Sequence, residues 1–160
     1  MSGVAFRVTT FRVTTFRVTR RYQFAASHRL HAQQLSDVEN RRLYGKCNNP
    51  YGHGHNYVVE VSVRGPLDTV TGRAVDIALL DGLVTRLVVE PFDHRNLNAE
   101  VAVFAVVVAT SENLGFEICR RLKQHWKEVF PGEWPKLEKI RIGETPRNIF
   151  EVSADEIESS

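Results

Sequence analysis

The stretch "GKCNNPYGHGHNY" at residues 45–57 places one thiol and two imidazoles, Cys47, His53 and His55, within nine positions. Side chains alternate along an extended strand. A His-x-His pair therefore projects both rings to one face, about 6.6 Å apart along the chain. Such a pair can chelate one ion, and zinc is the default for imidazole donors. Two edge histidines hydrogen-bonded to backbone are the plainer alternative. His28 ends an alternating segment upstream and adds a third imidazole; His31 falls in the next loop and His125 on a helix surface. Three histidines leave the fourth zinc position open, the pattern of a catalytic centre in which the metal polarises an oxygen or binds water. With Cys47 as a fourth ligand the centre would be closed and structural. Spacing alone does not decide between them.

Two further groups carry possible chemistry. Asp93 and His94 are adjacent, and a histidine beside a carboxylate can act as general acid or base. The alternative is a solvated loop pair. Glu144 follows Ile140 and Ile142 on the apolar face of an alternating segment. A carboxylate there is costly unless paired or used. It suits an amidine-like heterocycle edge, which offers two parallel N–H donors. Cys119 lies beside the apolar stripe of a helix and reads as a small buried hydrophobe.

The elements that must position these groups follow from periodicity. "FRVTTFRVTTFRVTR", from Phe6, repeats with period five. A strand has period two, so successive copies face opposite sides and cannot be equivalent strand units. The last copy reads as the start of a strand over residues 16–28, with residues 1–15 an extension. Its even positions are largely apolar and end at His28. A second strand, over 53–64, has an apolar odd face that begins with His53 and His55. In an antiparallel pair the end of one strand lies near the start of the next, so the three histidines converge at one edge. The long connection between them is of the kind that often carries function.

Asp76 reads as the N-cap of a helix with Ile77, Leu80, Val84, Leu87 and Val88 on one side. "EPFDHRNLN" reads as a loop. A second helix begins at Thr110 or Ser111, with Leu114, Ile118, Leu122, Trp126 and Val129 as its core stripe. Two strands follow, and the tail from residue 153 is expected to be disordered. The order ββααββ predicts an α+β domain, with the helices on one face of an antiparallel sheet.

The chain of 160 residues is long enough for one domain with one core. A net charge of +2 is too small to argue for nucleic acid, although it tolerates an anionic small molecule, and no nucleic-acid partner is expected. The longest apolar run, residues 101–109, is too short for a membrane span. The first residues lack the apolar stretch of a secretory signal. The two cysteines make no disulfide framework. A cytoplasmic protein is expected.

"FAASHRL", "LSDVENRRLYGKCNNPYGHGHNY", "DHRNLN", "TSEN" and "GET", in this order and spacing, resemble the 6-pyruvoyl-tetrahydropterin synthase family over roughly residues 20–152. The resemblance implies a T-fold, two helices on a four-stranded antiparallel sheet. It also implies trimeric rings whose sheets join into a barrel, two rings stacking into a homohexamer, and active sites between subunits. It implies a domain over 16–152. His28, His53 and His55 match the zinc ligands of the family, and Cys47 its catalytic thiol. Asp93 and His94 match the acid–base partners of that thiol. Glu144 matches the anchor of the pterin ring, and Thr110 and Glu112 further pterin contacts. The implied reaction turns 7,8-dihydroneopterin triphosphate into 6-pyruvoyl-tetrahydropterin and triphosphate, with Zn2+ as cofactor and no external redox partner. Arg29, Lys46 and Arg95 are candidates to meet the triphosphate. The rivals are a 6-carboxytetrahydropterin synthase, whose branch resembles Cys-x3-His-x-His, and a non-catalytic zinc- or pterin-binding module. The FRVT repeat, the apolar run ending in Ala109 where the family often has proline, and the lack of a late tyrosine depart from the family pattern.

Overall fold

A computed structural model describes residues 13–158. The elements run β1 (Thr15–His28), α1 (Asp37–Tyr44), β2 (His53–Pro66), α2 (Ile77–Val84), α3 (Glu90–Phe92), β3 (Arg95–Asn96), α4 (Leu97–Glu100), α5 (Ser111–Val129), β4 (Lys136–Gly143) and β5 (Ile149–Ser153). A π-helical turn, Thr85–Val89, joins α2 to α3. The sheet order is β3-β1-β2-β4-β5. β1–β2, β2–β4 and β4–β5 are antiparallel, whereas β3 is parallel to β1. The sheet is thus mixed and five-stranded, not four-stranded and antiparallel as expected. The fifth strand arises because Asp93 and His94 dock on the free edge of β1 and carry the next two residues into register with Ala26 and Ser27.

Strand parity holds through β1 and β2. Phe24, Ala26 and His28 are buried on one face of the sheet; Tyr57, Val59, Val61 and Val63 of β2 are buried on the same face. Phe24 stacks on Tyr57 at 5.3 Å between ring centres. Asp76 caps α2 by accepting from the Leu79 N–H, and Thr110 caps α5 by accepting from the Asn113 N–H. Leu114, Ile118, Leu122 and Trp126 are buried, and Val129 packs beside them, so the α5 stripe completes the core over the sheet. Cys119 is fully buried within it.

In β4 the alternation is broken. The register with β2 shifts between Ser62 and Val63, leaving Glu138 without an opposing residue. Such a bulge lets both Leu137 and Ile140 turn to the core. Glu138 instead meets two guanidiniums. Arg17 Nη2 donates to it at 2.9 Å and Arg64 Nη2 at 2.6 Å. The tail expected to be disordered is packed up to residue 157. Ala154 and Ile157 are buried, and Lys123 Nζ donates to both their carbonyls. The expected extension over residues 1–15 lies, up to residue 12, outside the described residues. Among the described residues no helix is long and apolar enough to cross a membrane.

Arg17 and then Arg64 hold the Glu138 carboxyl down from an ordinary value near 4.5 to about 2. A depressed folded-state value adds stability that is fully present above the unfolded value and is lost as pH falls through the folded one. Glu138→Gln should therefore lower the melting temperature at neutral pH. The difference from the unaltered chain should shrink as pH drops from about 4.5 toward about 2. Thermal melts across that range check this; a difference independent of pH would contradict it.

Candidate metal centre

β1 ends and β2 begins at the same point, with His28 opposite His53 and Ala26 opposite His55. One ligand atom from each of His28, His53 and His55 falls within 4.8 Å of the others, and the three form a group that can hold a metal ion. The His28 and His53 Nε2 atoms are 3.2 Å apart. A tetrahedral ion with bonds of about 2.0–2.1 Å has ligand atoms about 3.3 Å apart, so the His28–His53 pair is at the spacing of two ligands on one metal ion. Cys47 is not a member of the group.

The surroundings favour neutral imidazoles aimed inward. His28 is buried, and its Nδ1 lies 2.6 Å from the Ala109 carbonyl, a contact that requires the N–H on Nδ1. The lone pair is then on Nε2, facing His53. A backbone carbonyl holding the remote nitrogen is the usual way a ligating histidine is oriented. Burial lowers the pKa of His28 and of His55, and metal binding needs the neutral ring. His55 Nε2 is buried without a hydrogen-bond partner. An orphaned donor-acceptor atom at this place is what a bound cation would satisfy.

Backbone geometry brings Cys47 to this centre. The connection from β1 to β2, expected as a long loop, contains the helix α1. Ser36 and Glu39 form a reciprocal capping box at its start, the S-x-x-E signal that marks it. Asn40 is buried; its amide donates to the Ala32, Leu35 and Ser36 carbonyls and accepts from the Ala32 N–H. A short 3-10 turn, Gly45–Asn48, follows. Leu30 N–H donates to the Cys47 carbonyl, and Asn48 donates to the Leu30 carbonyl. Asn98 clamps Arg29 by bonding both its N–H and its carbonyl. These three asparagines are structural residues that periodicity did not single out. Gly52 has φ +70°, and a Cβ there would stand 2.7 Å from the His28 carbonyl oxygen.

Glu144 continues the core-facing parity of β4 past its end. Its Oε1 is 3.5 Å from His55 Nε2 and 3.7 Å from His28 Nε2, with the side chain largely buried. Cys47 lines a separate hollow of about 710 Å3, shared with His53, Arg29 and Lys46. Burial, and then the Glu144 charge, raise its pKa within the single chain. A bound cation would act in the opposite direction.

The remaining predicted residues stand apart. Asp93 Oδ1 accepts from the Ala25 N–H, and His94 N–H donates to the Ala25 carbonyl. His94 takes φ 57°, a strained value for a residue with a Cβ, and its ring is 81% exposed. Its hollow touches His55 but not Cys47. Thr110 adjoins Ala109, which holds His28, whereas exposed Glu112 borders an apolar groove beside Phe116 and Phe150. Arg95 is paired with Glu100.

Comparison with known proteins agrees with this architecture. Residues 17–155 match the family model described as 6-pyruvoyl tetrahydropterin synthase. A Poecilia reticulata protein named 6-pyruvoyl tetrahydrobiopterin synthase is 47% identical over 131 residues, covering 82% of this chain and 85% of that protein. A Homo sapiens protein of the same name is 44% identical over 131 residues, covering 82% and 86%. The solved structure of Caenorhabditis elegans 6-pyruvoyl tetrahydropterin synthase superposes with a TM-score of 0.80 at 41% identity, covering 90% of this chain and 99% of that one.

Gly52→Ala tests how closely the backbone sets the centre. Zinc affinity, measured against a competing chelator, should fall about tenfold or more while circular dichroism stays that of the folded protein. Unchanged affinity would show that the His28–Gly52 approach does not shape the metal site.

Proposed function

The chain belongs to the 6-pyruvoyl tetrahydropterin synthase family, and from that premise we propose that it converts 7,8-dihydroneopterin triphosphate to 6-pyruvoyl-tetrahydropterin with release of triphosphate. In class it is then a phosphate-eliminating carbon–oxygen lyase. The observation that carries this reading is a three-histidine group with a thiol beside it that is not one of its members. A metal-binding or pterin-binding module has no need of that thiol.

His28, His53 and His55 would hold Zn2+, which supplies Lewis acidity to the substrate side-chain hydroxyls and the adjacent C–H bonds. Cys47, as thiolate, removes a carbon-bound proton. Glu144 accepts from the N–H edge of the pterin, which keeps the donor and acceptor carbons at fixed positions. Thr110 and Glu112 add contacts to the ring. Asp93 orients His94, and His94 exchanges the proton with Cys47. Hydrogen moves from the side chain to the ring, so no redox cofactor enters.

This division of labour needs more than one chain. Within one chain, His94 and Cys47 open into different hollows. We read the working enzyme as a homohexamer of two trimeric rings, with the sheets closed into barrels and Asp93–His94 meeting Cys47 across a subunit boundary. The cytoplasm, which keeps Cys47 reduced, is the matching compartment.

Two measurements test the reading. Cys47→Ala should retain stoichiometric zinc and lose turnover by orders of magnitude; zinc lost with the thiol would make Cys47 a ligand, and an unchanged rate would remove it from catalysis. Product analysis should find 6-pyruvoyl-tetrahydropterin. Acetaldehyde with the carboxy product would instead assign the chain to the 6-carboxytetrahydropterin branch, which the Cys-x5-His-x-His spacing disfavours.

A further inference from the structure

The hollow beside Cys47 and His53 is lined by three cations, Arg29, Arg41 and Lys46, and one carboxylate, Asp37. None of the three cations has an ion-pair partner among the described residues. Elsewhere in the fold, Arg17, Arg20, Arg64 and Arg141 each sit against a carboxylate. Asp37 lies one turn before Arg41 on α1, the spacing at which helical side chains meet, and yet it is not paired with it. Arg29 is prepared for a ligand: its backbone is clamped by Asn98, and its Nε donates to the Asn48 carbonyl. Those bonds fix the guanidinium and leave its two terminal nitrogens without a protein acceptor among the described residues. A planar fork held this way is suited to phosphate oxygens.

We propose that Arg29, Arg41 and Lys46 form the binding site for the polyphosphate end of the substrate, and hence for free inorganic triphosphate. The proposal rests on the reading of the chain as a dihydroneopterin triphosphate enzyme and adds the direction in which the substrate lies. Glu144 faces the metal group from the side of His28 and His55, whereas the cationic hollow adjoins His53. A ring held at Glu144 and a triphosphate held in the hollow place the intervening side chain across the three imidazoles and next to Cys47. Arg41 enters through the capped helix α1, so the connection between the first two strands supplies both the thiol and a phosphate ligand. Of the cations suggested by sequence, Arg29 and Lys46 line this hollow; Arg95 is paired with Glu100 on the far side of β1.

The test is isothermal titration of the zinc-loaded oligomer with inorganic triphosphate. Arg41→Ala and Lys46→Ala should each weaken binding about tenfold, a change of about 1.4 kcal/mol, and the loss should shrink as salt is raised. Arg42→Ala removes the same charge from the next position of α1, outside the hollow, and should leave binding unchanged. Equal losses at Arg41 and Arg42 would reduce the effect to a diffuse field and overturn the site. So would the absence of triphosphate binding up to about 1 mM. Triphosphate binding that depends on Arg41 in a protein inert toward dihydroneopterin triphosphate would keep the phosphate site and refute the proposed reaction. Arg41 and Lys46 are exposed surface residues whose truncation leaves the core intact.

Discussion

His28 stands opposite His53, and Ala26 opposite His55, in the paired ends of β1 and β2. A slip of one residue in that register would turn one histidine set to the other side of the sheet. The register is held by what the same face buries. Phe24, Tyr57, Val59, Val61 and Val63 are nearly inaccessible to water, and moving any of them to the polar face would lose burial worth about 1.5–3 kcal/mol per side chain. The core beneath the sheet therefore specifies the metal group at its end. The two cannot be separated by mutation without cost to both.

Around that group, burial and backbone contacts do what is needed to keep the imidazoles neutral and aimed. The Ala109 carbonyl selects the tautomer of His28. That carbonyl belongs to the apolar segment just before α5, so the segment leading into the helix that closes the core also orients His28. Gly52 lets the chain approach the His28 carbonyl and return into β2. The connection from Arg29 to Gly52 is thereby pinned at both ends, and its asparagine bonds make a defined platform for Cys47. On the other edge of β1, His94 has a strained backbone and an exposed ring.

Sequence made legible the parts that rest on periodicity. The even face of β1, the odd face of β2 and the stripe of α5 follow from alternation and helical spacing, and they bring the three histidines together. The helix α1 was hidden because its sequence is mostly charged and presents no apolar stripe, although its capping box was present. The bulge at Glu138 breaks the alternation that would reveal it. β3 is two residues long, too short for any pattern, and exists because Asp93 and His94 bond to the β1 edge. Ile157 is the one large apolar residue in an acidic tail, and only its tertiary contacts show that it is buried. Asn40, Asn48 and Asn98 act through backbone bonds, which leave no spacing signature.

Zinc K-edge X-ray absorption of the metal-loaded protein tests directly whether the three imidazoles bind the ion and the thiol beside them does not. A first shell of nitrogen and oxygen atoms only, at about 2.0–2.1 Å, is expected, with the outer-shell scattering of imidazole rings. A sulfur neighbour at about 2.3 Å would contradict it, because Cys47 would then be a ligand and the centre closed.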